Sequence, residues 1–257
     1  MKPPPFAYCR PTSVGETAEI LATVEDASVL AGGQSLIPLL NLRLARPALV
    51  VDLSRCAGLD DVSAADGVLD VGARVTAAEL ASHPAVFAGL SEAVLRIGHP
   101  QIRSRTTIGG SIAHADPSAE LPTVLAGCGG AVVLTSVRGT REVAATDFFD
   151  GPFSTTRAEA ELVVSVRFPI PDGPSTFLEV ARRSGDFAIV GLYAQLHGEA
   201  SRFAASGAGP TAVAASSVDE LMERIDPSDD IHASADHRRH LVRVLAHRSG
   251  LGGTVPA

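Results

Sequence analysis

The stretch QIRSRTTIGGSIAHADPSAELP, Gln101–Pro122, carries a glycine pair, a run of hydroxyl side chains and a cluster of acids. Its counterpart is AGGQSL, Ala31–Leu36, which follows directly on the short apolar run from Ser28 to Ala31. Glycines lack Cβ, so a backbone built on them approaches a ligand closely and adopts positive φ. Successive N–H groups then form an anion-binding concavity, and a neighbouring Ser or Thr adds a hydroxyl. Ala31, Gly32, Gly33, Gln34, Ser35 and Leu36 make one such candidate loop; Thr107, Ile108, Gly109, Gly110 and Ser111 make the other. Either pair alone reads first as an ordinary turn. Two of them, in different segments, predict a grip on a pyrophosphate from both sides. No GxGxxG follows a strand, which argues against a Rossmann dinucleotide site.

Behind the second pair, His114, Asp116, Ser118 and Glu120 fall within seven residues. A carboxylate here suits ribose hydroxyls; the local alternative is a helix start capped by Asp116 or Ser118. A Ser–His–Asp hydrolase is disfavoured, because triads rarely assemble from sequence neighbours and no GxSxG elbow is present. Arg182–Ala188, RRSGDFA, reads as a charged turn between two strands, either a plain hairpin or a loop reaching toward a ligand.

Around these motifs the chain divides into three segments. The first, to about Ser54, predicts a helix from Val14 to Glu25, opened by Ser13 with Glu16 reaching back, and strands at Ser28–Ala31 and Ala48–Leu53. The second, about Arg55 to Pro169, predicts a strand at Val68–Ala73, a capping box at Thr76–Glu79 and a helical stripe within Pro84–Ile97. It continues with a hairpin around Val137–Thr140 and a strand at Leu162–Phe168. PIPDGPS, Pro169–Ser175, marks a boundary. Beyond it come strands at Thr176–Ala181 and Ala188–Leu196, and helices at Val218–Ile225 and Asp236–Arg248. Strands and helices alternate irregularly, which predicts an α+β fold.

Composition narrows the function classes. The 257 residues carry 21 Lys+Arg against 29 Asp+Glu, a net charge of −8, which argues against nucleic-acid binding. The sole lysine is Lys2, so no lysine inside the fold serves as a P-loop or Schiff-base group. Cys9, Cys56 and Cys128 are odd in number and far apart, giving neither a disulfide framework nor an iron–sulfur ligand run. That predicts a reducing compartment. With no apolar run of about 18 residues and no signal core, a soluble, cytoplasmic protein without a membrane span is expected. His232, His237, His240 and His247 are interleaved with Arg238, Arg239, Arg243 and Arg248, which reads as a solvated cationic helix face rather than a metal site. No metal ligand and no catalytic side chain is assigned on this chain.

These motifs resemble the FAD-binding (medium) subunits of the molybdenum hydroxylases, the carbon monoxide dehydrogenase and xanthine dehydrogenase family. The resemblance runs from Pro5–Pro11 through AGGQSL, Arg43–Pro47, Gln101–Pro122 and RRSGDFAIV at Arg182–Val190 to DIHASADHRRHLVRVLAHR at Asp230–Arg248. It implies a two-lobed FAD-binding domain of the PCMH type over 1–172, with lobes of about 1–54 and 55–172. A small α+β C-terminal domain over 173–257 would follow. It implies that both glycine loops hold the FAD pyrophosphate, that Asp116 and Glu120 lie near the ribose and adenosine, and that Ile97, Ile102 and Leu162 line the cofactor. The Gly185–Asp186–Phe187 loop would approach the isoalloxazine. The implied role is electron transfer, from two [2Fe–2S] clusters of a small partner subunit through FAD to an external acceptor. Substrate would be hydroxylated at a molybdenum cofactor on a large subunit. Two departures stand out. Thr106 takes the place of a glycine before the second loop, and the passage from Leu196 to Asp229 is short, which predicts a trimmed C-terminal domain. The tail from Gly250 to Ala257 is expected to be disordered. The competing readings are a self-sufficient FAD-dependent oxidase or reductase on the same fold, and a non-enzymatic assembly module that has lost FAD.

Overall fold

A computed structural model describes residues 2–197 and 200–251. The first segment folds as three parallel strands, β1 (Ala7–Cys9), β2 (Ala27–Leu30) and β3 (Leu49–Asp52), in the order β1-β3-β2. They are connected through α1 (Val14–Thr23) and α2 (Leu36–Asn41). The cap of α1 differs from the expected box. Ser13 does accept the Glu16 N–H, but the Glu16 carboxylate passes its own N-cap and takes the Thr12 N–H at 2.7 Å and the Thr12 hydroxyl at 2.9 Å. The helix stops at Thr23 rather than Glu25, because Val24 is extended and Asp26 turns left-handed at φ 54°. Asp52, the polar residue of an otherwise buried strand, is satisfied by the Tyr8 hydroxyl and the Ser54 N–H.

The second segment builds a five-stranded antiparallel sheet, β4 (Val62–Ala65), β5 (Val68–Gly72), β6 (Ala131–Ser136), β7 (Gly139–Ala144) and β8 (Leu162–Pro169), in the order β4-β5-β8-β6-β7. Between β5 and β6 run α3 (Ala77–Ala81), α4 (Ala88–Arg96), α5 (Pro100–Arg103), α6 (Ile108–His114) and α7 (Glu120–Cys128); α8 (Ala145–Phe148) follows β7. The Thr76–Glu79 capping box forms in full, with the Thr76 N–H on Glu79 at 2.8 Å. The predicted helix at Pro84 begins later, at Ala88, with Phe87 as its extended N-cap; Leu90 and Val94 of the predicted stripe are buried in it.

The third segment is a four-stranded antiparallel sheet of β9 (Ser175–Val180), β10 (Val190–His197), β11 (Ala200–Ser206) and β12 (Val213–Ala215), in the order β12-β11-β10-β9. It is closed by α9 (Val218–Arg224) and α10 (Ala235–Arg248). Short as the passage after Leu196 is, it holds two strands and α9. One face of this sheet, with Phe177, Tyr193 and Ala204, joins the main core; the other, with Leu192, Ala194 and Phe203, packs on α9 and α10. On α10 the buried apolar residues are Leu241, Val242, Leu245 and Ala246. Arg238, expected on the solvated face, is instead buried: it donates to the Gly207 carbonyl at 3.0 Å and to Asp230 at 2.6 Å. The four histidines are exposed, with His237 stacked on His240 at 6.5 Å, and no metal-binding group forms among the described residues. Among those residues no helix is long and apolar enough to cross a membrane. Of the tail expected to be disordered, 252–257 lie outside the described residues, while the Leu251 carbonyl accepts from Ser201 at 3.2 Å.

Tyr193 locks this last sheet to the helices. A Cβ on Gly89 of α4 would stand 2.6 Å from its ring, and one on Gly127 of α7 would stand 2.4 Å away. Its hydroxyl donates to Gln195 at 2.7 Å. Tyr193→Ala is expected to cost about 3–5 kcal/mol through the cavity it leaves, and Tyr193→Phe about 1 kcal/mol through the lost hydrogen bond. Urea denaturation of the three proteins checks that order.

Candidate functional site

Strand β2 ends at Leu30 and the chain turns at once through Ala31–Ser35 into α2. This places the loop at the carboxyl edge of a parallel sheet, where α/β folds commonly bind ligands. Gly33 adopts φ 77°, which turns the backbone. Gly32 is needed for a different reason: a Cβ there would lie 1.9 Å from the Arg105 carbonyl oxygen, so the two loop backbones touch. The N–H groups of Gly32, Gly33, Gln34, Ser35 and Leu36 donate to no protein acceptor among the described residues. Five consecutive free donors form the kind of concavity that receives an anion.

The second glycine pair is not a loop. Thr107 caps α6, and Gly109 and Gly110 lie in its first turn. Their N–H groups are already used, Gly109 on the Ala73 carbonyl at 3.0 Å and Gly110 on the Thr107 hydroxyl at 3.2 Å. Gly109 is a packing glycine, since its Cβ would stand 2.5 Å from that of Ala73. Gly110 faces the first loop, with Ala31 3.4 Å from where its Cβ would be. The pair therefore brings α6 close to the first loop, and neither glycine of the pair offers a free N–H.

Between the two lies a cleft of about 280 Å³. The structure brings Ala31, Gly32, Gly33, Gln34, Ser35 and Leu36 to it from one side, and Thr107, Gly109, Gly110 and Ser111 from the other; Leu162 closes one wall. It does not bring the remaining candidates there. Ile108 is fully buried in the core and Ile97 nearly so, while Ile102 on α5 is partly exposed. Asp116 accepts the Ser118 N–H at 2.8 Å in a turn, and neither residue caps α7, whose N-cap is Ala119. Glu120 is buried at 5% exposure in the first turn of α7, and burial pushes its pKa up to about 8. Asp186 lies in the β9–β10 loop, where Gly185 at φ 85° rests against His99; Phe187 beside it is exposed.

Sequence reasoning missed Arg157, Glu159 and Glu161, which also line the cleft, together with His114. Glu161 is held by Arg141 through two bonds of 2.6 and 2.8 Å, and that pairing keeps its carboxyl below the usual range. One nitrogen of Arg157 donates to the Glu161 carbonyl at 2.7 Å, and burial lowers the guanidinium pKa. The ring of His114 packs on Phe153 at 5.1 Å. Nothing in the spacing of TTRAEAE, Thr155–Glu161, signals this: the wall forms only when the strand after it takes the centre of the five-stranded sheet.

A cleft with a free N–H row, a small-residue wall and a half-buried guanidinium has the chemistry to hold a phosphorylated cofactor. Comparison with known proteins says which. A family model described as the FAD binding domain in molybdopterin dehydrogenase matches residues 4–171. The chain belongs to that family. The resemblance read from the two glycine pairs is thereby borne out. The medium subunit of nicotine 6-hydroxylase from Paenarthrobacter nicotinovorans is 36% identical, over 97% of each chain. The carbon monoxide dehydrogenase medium chain of Hydrogenophaga pseudoflava is 30% identical over 97% of each. Among solved structures, quinoline 2-oxidoreductase from Pseudomonas putida 86 superposes with a TM-score of 0.90 at 35% identity, covering 97% of this chain and 96% of that one. The α+β architecture is shared with these molybdopterin dehydrogenase relatives.

The free donors of Gly32–Leu36 have the chemistry to receive a diphosphate, and Gly110 faces the same loop. Gly110→Val is expected to weaken FAD binding by at least about tenfold, roughly 1.4 kcal/mol, because a branched side chain would meet Thr107 and Ala31. Flavin titration of the purified variant, with circular dichroism to verify folding, measures it; an unchanged affinity would remove the second glycine pair from the site.

Proposed function

We propose that this chain is the FAD-carrying, electron-transferring medium subunit of a molybdenum hydroxylase. The observation that carries the reading is the end-to-end match with medium subunits, 97% of both chains in each direction, joined to the row of free N–H donors beside the cleft. In this reading residues 1–172, in lobes of about 1–54 and 55–172, hold FAD, and 173–257 form the smaller C-terminal domain. Gly32–Leu36 would receive the pyrophosphate, with Thr107, Gly110 and Ser111 opposite. Leu162, Ile97 and Ile102 would supply apolar surface and Ile108 would support α6 from the core. Asp116 and Glu120 would stand toward the sugar, and Asp186 would reach over from the C-terminal sheet.

When bound, FAD supplies redox chemistry that no side chain has; the chain's own part is to hold and orient it and tune its surroundings. Electrons would arrive from [2Fe–2S] clusters of a small partner subunit and leave to an external acceptor. Substrate oxidation would occur at the molybdenum cofactor of a large subunit. Three free cysteines, two of them buried, agree with a reducing, cytoplasmic setting.

The test is to express the tagged chain with its neighbouring reading frames and record the absorption spectrum and subunit composition of what is purified. Flavin and iron–sulfur bands with one large and one small partner are expected, together with no oxidation of hydroxylase substrates by the isolated chain. Turnover by a verified metal-free single chain would overturn the subunit assignment and favour a self-sufficient flavoprotein.

A further inference from the structure

We propose that the free edge of β12 is a strand-addition site, which receives an extended segment of another protein chain, acidic at one end and basic at the other. Strand β12 is the last in the order β12-β11-β10-β9, so only its β11 side is bonded within the sheet. The backbone N–H and C=O groups of residues 211–215 that face away from β11 find no protein partner among the described residues. Such an edge is a template for a further strand, and proteins usually cover it or charge it.

This edge is not covered. A cleft of about 630 Å³ runs along it, larger than the cofactor cleft and sharing no lining residue with it. Ala212 and Ala214 pack toward the main core, Val213 and Ala215 toward the other face of the sheet, yet all four line this cleft. Side chains alternate across a strand, so a space touched from both faces lies along the edge itself. Its walls are helices. On one face stand Ala126 and Gly127 of α7 with Thr146 of α8; on the other stand Glu220 and Arg224 of α9. Walls on both sides admit one extended chain. They select a lone segment over the sheet edge of a second copy, which is flanked by the same helices. The small side chains of β12 and α7 let a second backbone approach to ladder spacing, about 4.8 Å.

The charges along the groove specify what the segment carries. Phe203 pairs with Ala215, which places Arg202 opposite Ser216 at one end. Arg202 is exposed, with one guanidinium nitrogen 2.5 Å from where a Cβ of Gly129 would stand, and it has no hydrogen bond or ion pair among the described residues. At the other end, just beyond β11, the Asp226 N–H bonds the Ala208 carbonyl at 2.9 Å. The exposed Asp226 carboxylate is likewise unpaired among the described residues. The remaining charges are matched: Glu220 accepts from the Ser216 N–H at 2.8 Å and hydroxyl at 2.6 Å, and from Arg224 at 3.2 Å. A segment with a carboxylate toward Arg202 and a cation toward Asp226 meets both free charges. Ladder bonds supply its affinity and the end charges its register.

The test uses the full chain as purified with three end-capped hexapeptide probes, in one-letter code KVAVAE, EVAVAK and KVAVAK. The first two offer the required acid in either chain direction; the third lacks it. One of the first two is expected to bind at least about tenfold tighter than KVAVAK, and its binding should slow amide exchange at residues 211–215. Arg202→Glu should reverse that order in favour of KVAVAK. Thr146→Trp, which fills the groove from its α8 wall, should weaken all three. Circular dichroism verifies folding, and if Thr146→Trp fails to fold, Arg202→Glu at its exposed position decides. Four results overturn the proposal: no binding of any probe, binding without protection of 211–215, an order that Arg202→Glu leaves unchanged, or protection of 211–215 already present without peptide. In the last case sedimentation would reveal a second copy as the occupant, and removal of residues 252–257 would reveal the chain's own end.

Discussion

The Arg105 carbonyl lies directly against Gly32, and the functional architecture depends on that crossing of two backbones. It is possible only where one of them has no side chain. The stretch carrying Arg105 is itself fixed by the bonds of Ala77 N–H to Thr106, Ile108 N–H to Val75 and Gly109 N–H to Ala73. The first loop, pressed beneath it, is held with its N–H groups unpaired among the described residues. Rigid support on one side and unmet donors on the other are what preorganise a phosphate site: little reorganisation remains to be done on binding. The two glycine pairs thus do unlike work. One leaves backbone N–H groups unpaired beside the cleft; the other lets a helix come close enough to make the opposite wall.

A second junction, around Tyr193, makes the chain cohere. The four-stranded sheet contributes one face to the core of the FAD-binding portion and keeps the other for α9 and α10. Its attachment to α4 and α7 uses the glycines at 89 and 127, which admit the aromatic ring.

Much of the fold was legible in local pattern. The Thr76–Glu79 box, the hairpin from Ala131 to Ala144 and the α10 helix each rest on interactions within a few residues, and all are present. The misses have physical causes. Strand β11, ASRFAAS, is rich in small residues with weak strand preference, and its state is decided by β10 on one side and β12 on the other. Arg238 lies in a run of exposed cations and gives no local sign of being buried; the carbonyls it satisfies come from residues 31 and 49 positions away. Glu16 shows the smaller error: the reach-back was right in kind and off by one residue in the N–H it accepts from, that of Thr12 rather than Ser13.

By itself the sequence determined the chemistry available and its kinship. It held two glycine pairs, hydroxyl and acid residues after the second, one lysine, no ligand run for a cluster, and enough family-specific pattern from Pro5 to Arg248 to say what the chain resembles. These are properties of residue type and short spacing, which folding does not alter. Only the tertiary structure decided which glycine pair has free N–H groups, since that depends on where every other acceptor lies. It alone placed Arg157 and Glu161 on the cleft. Burial and pairing are properties of assembled surfaces, and no stretch of sequence contains both partners.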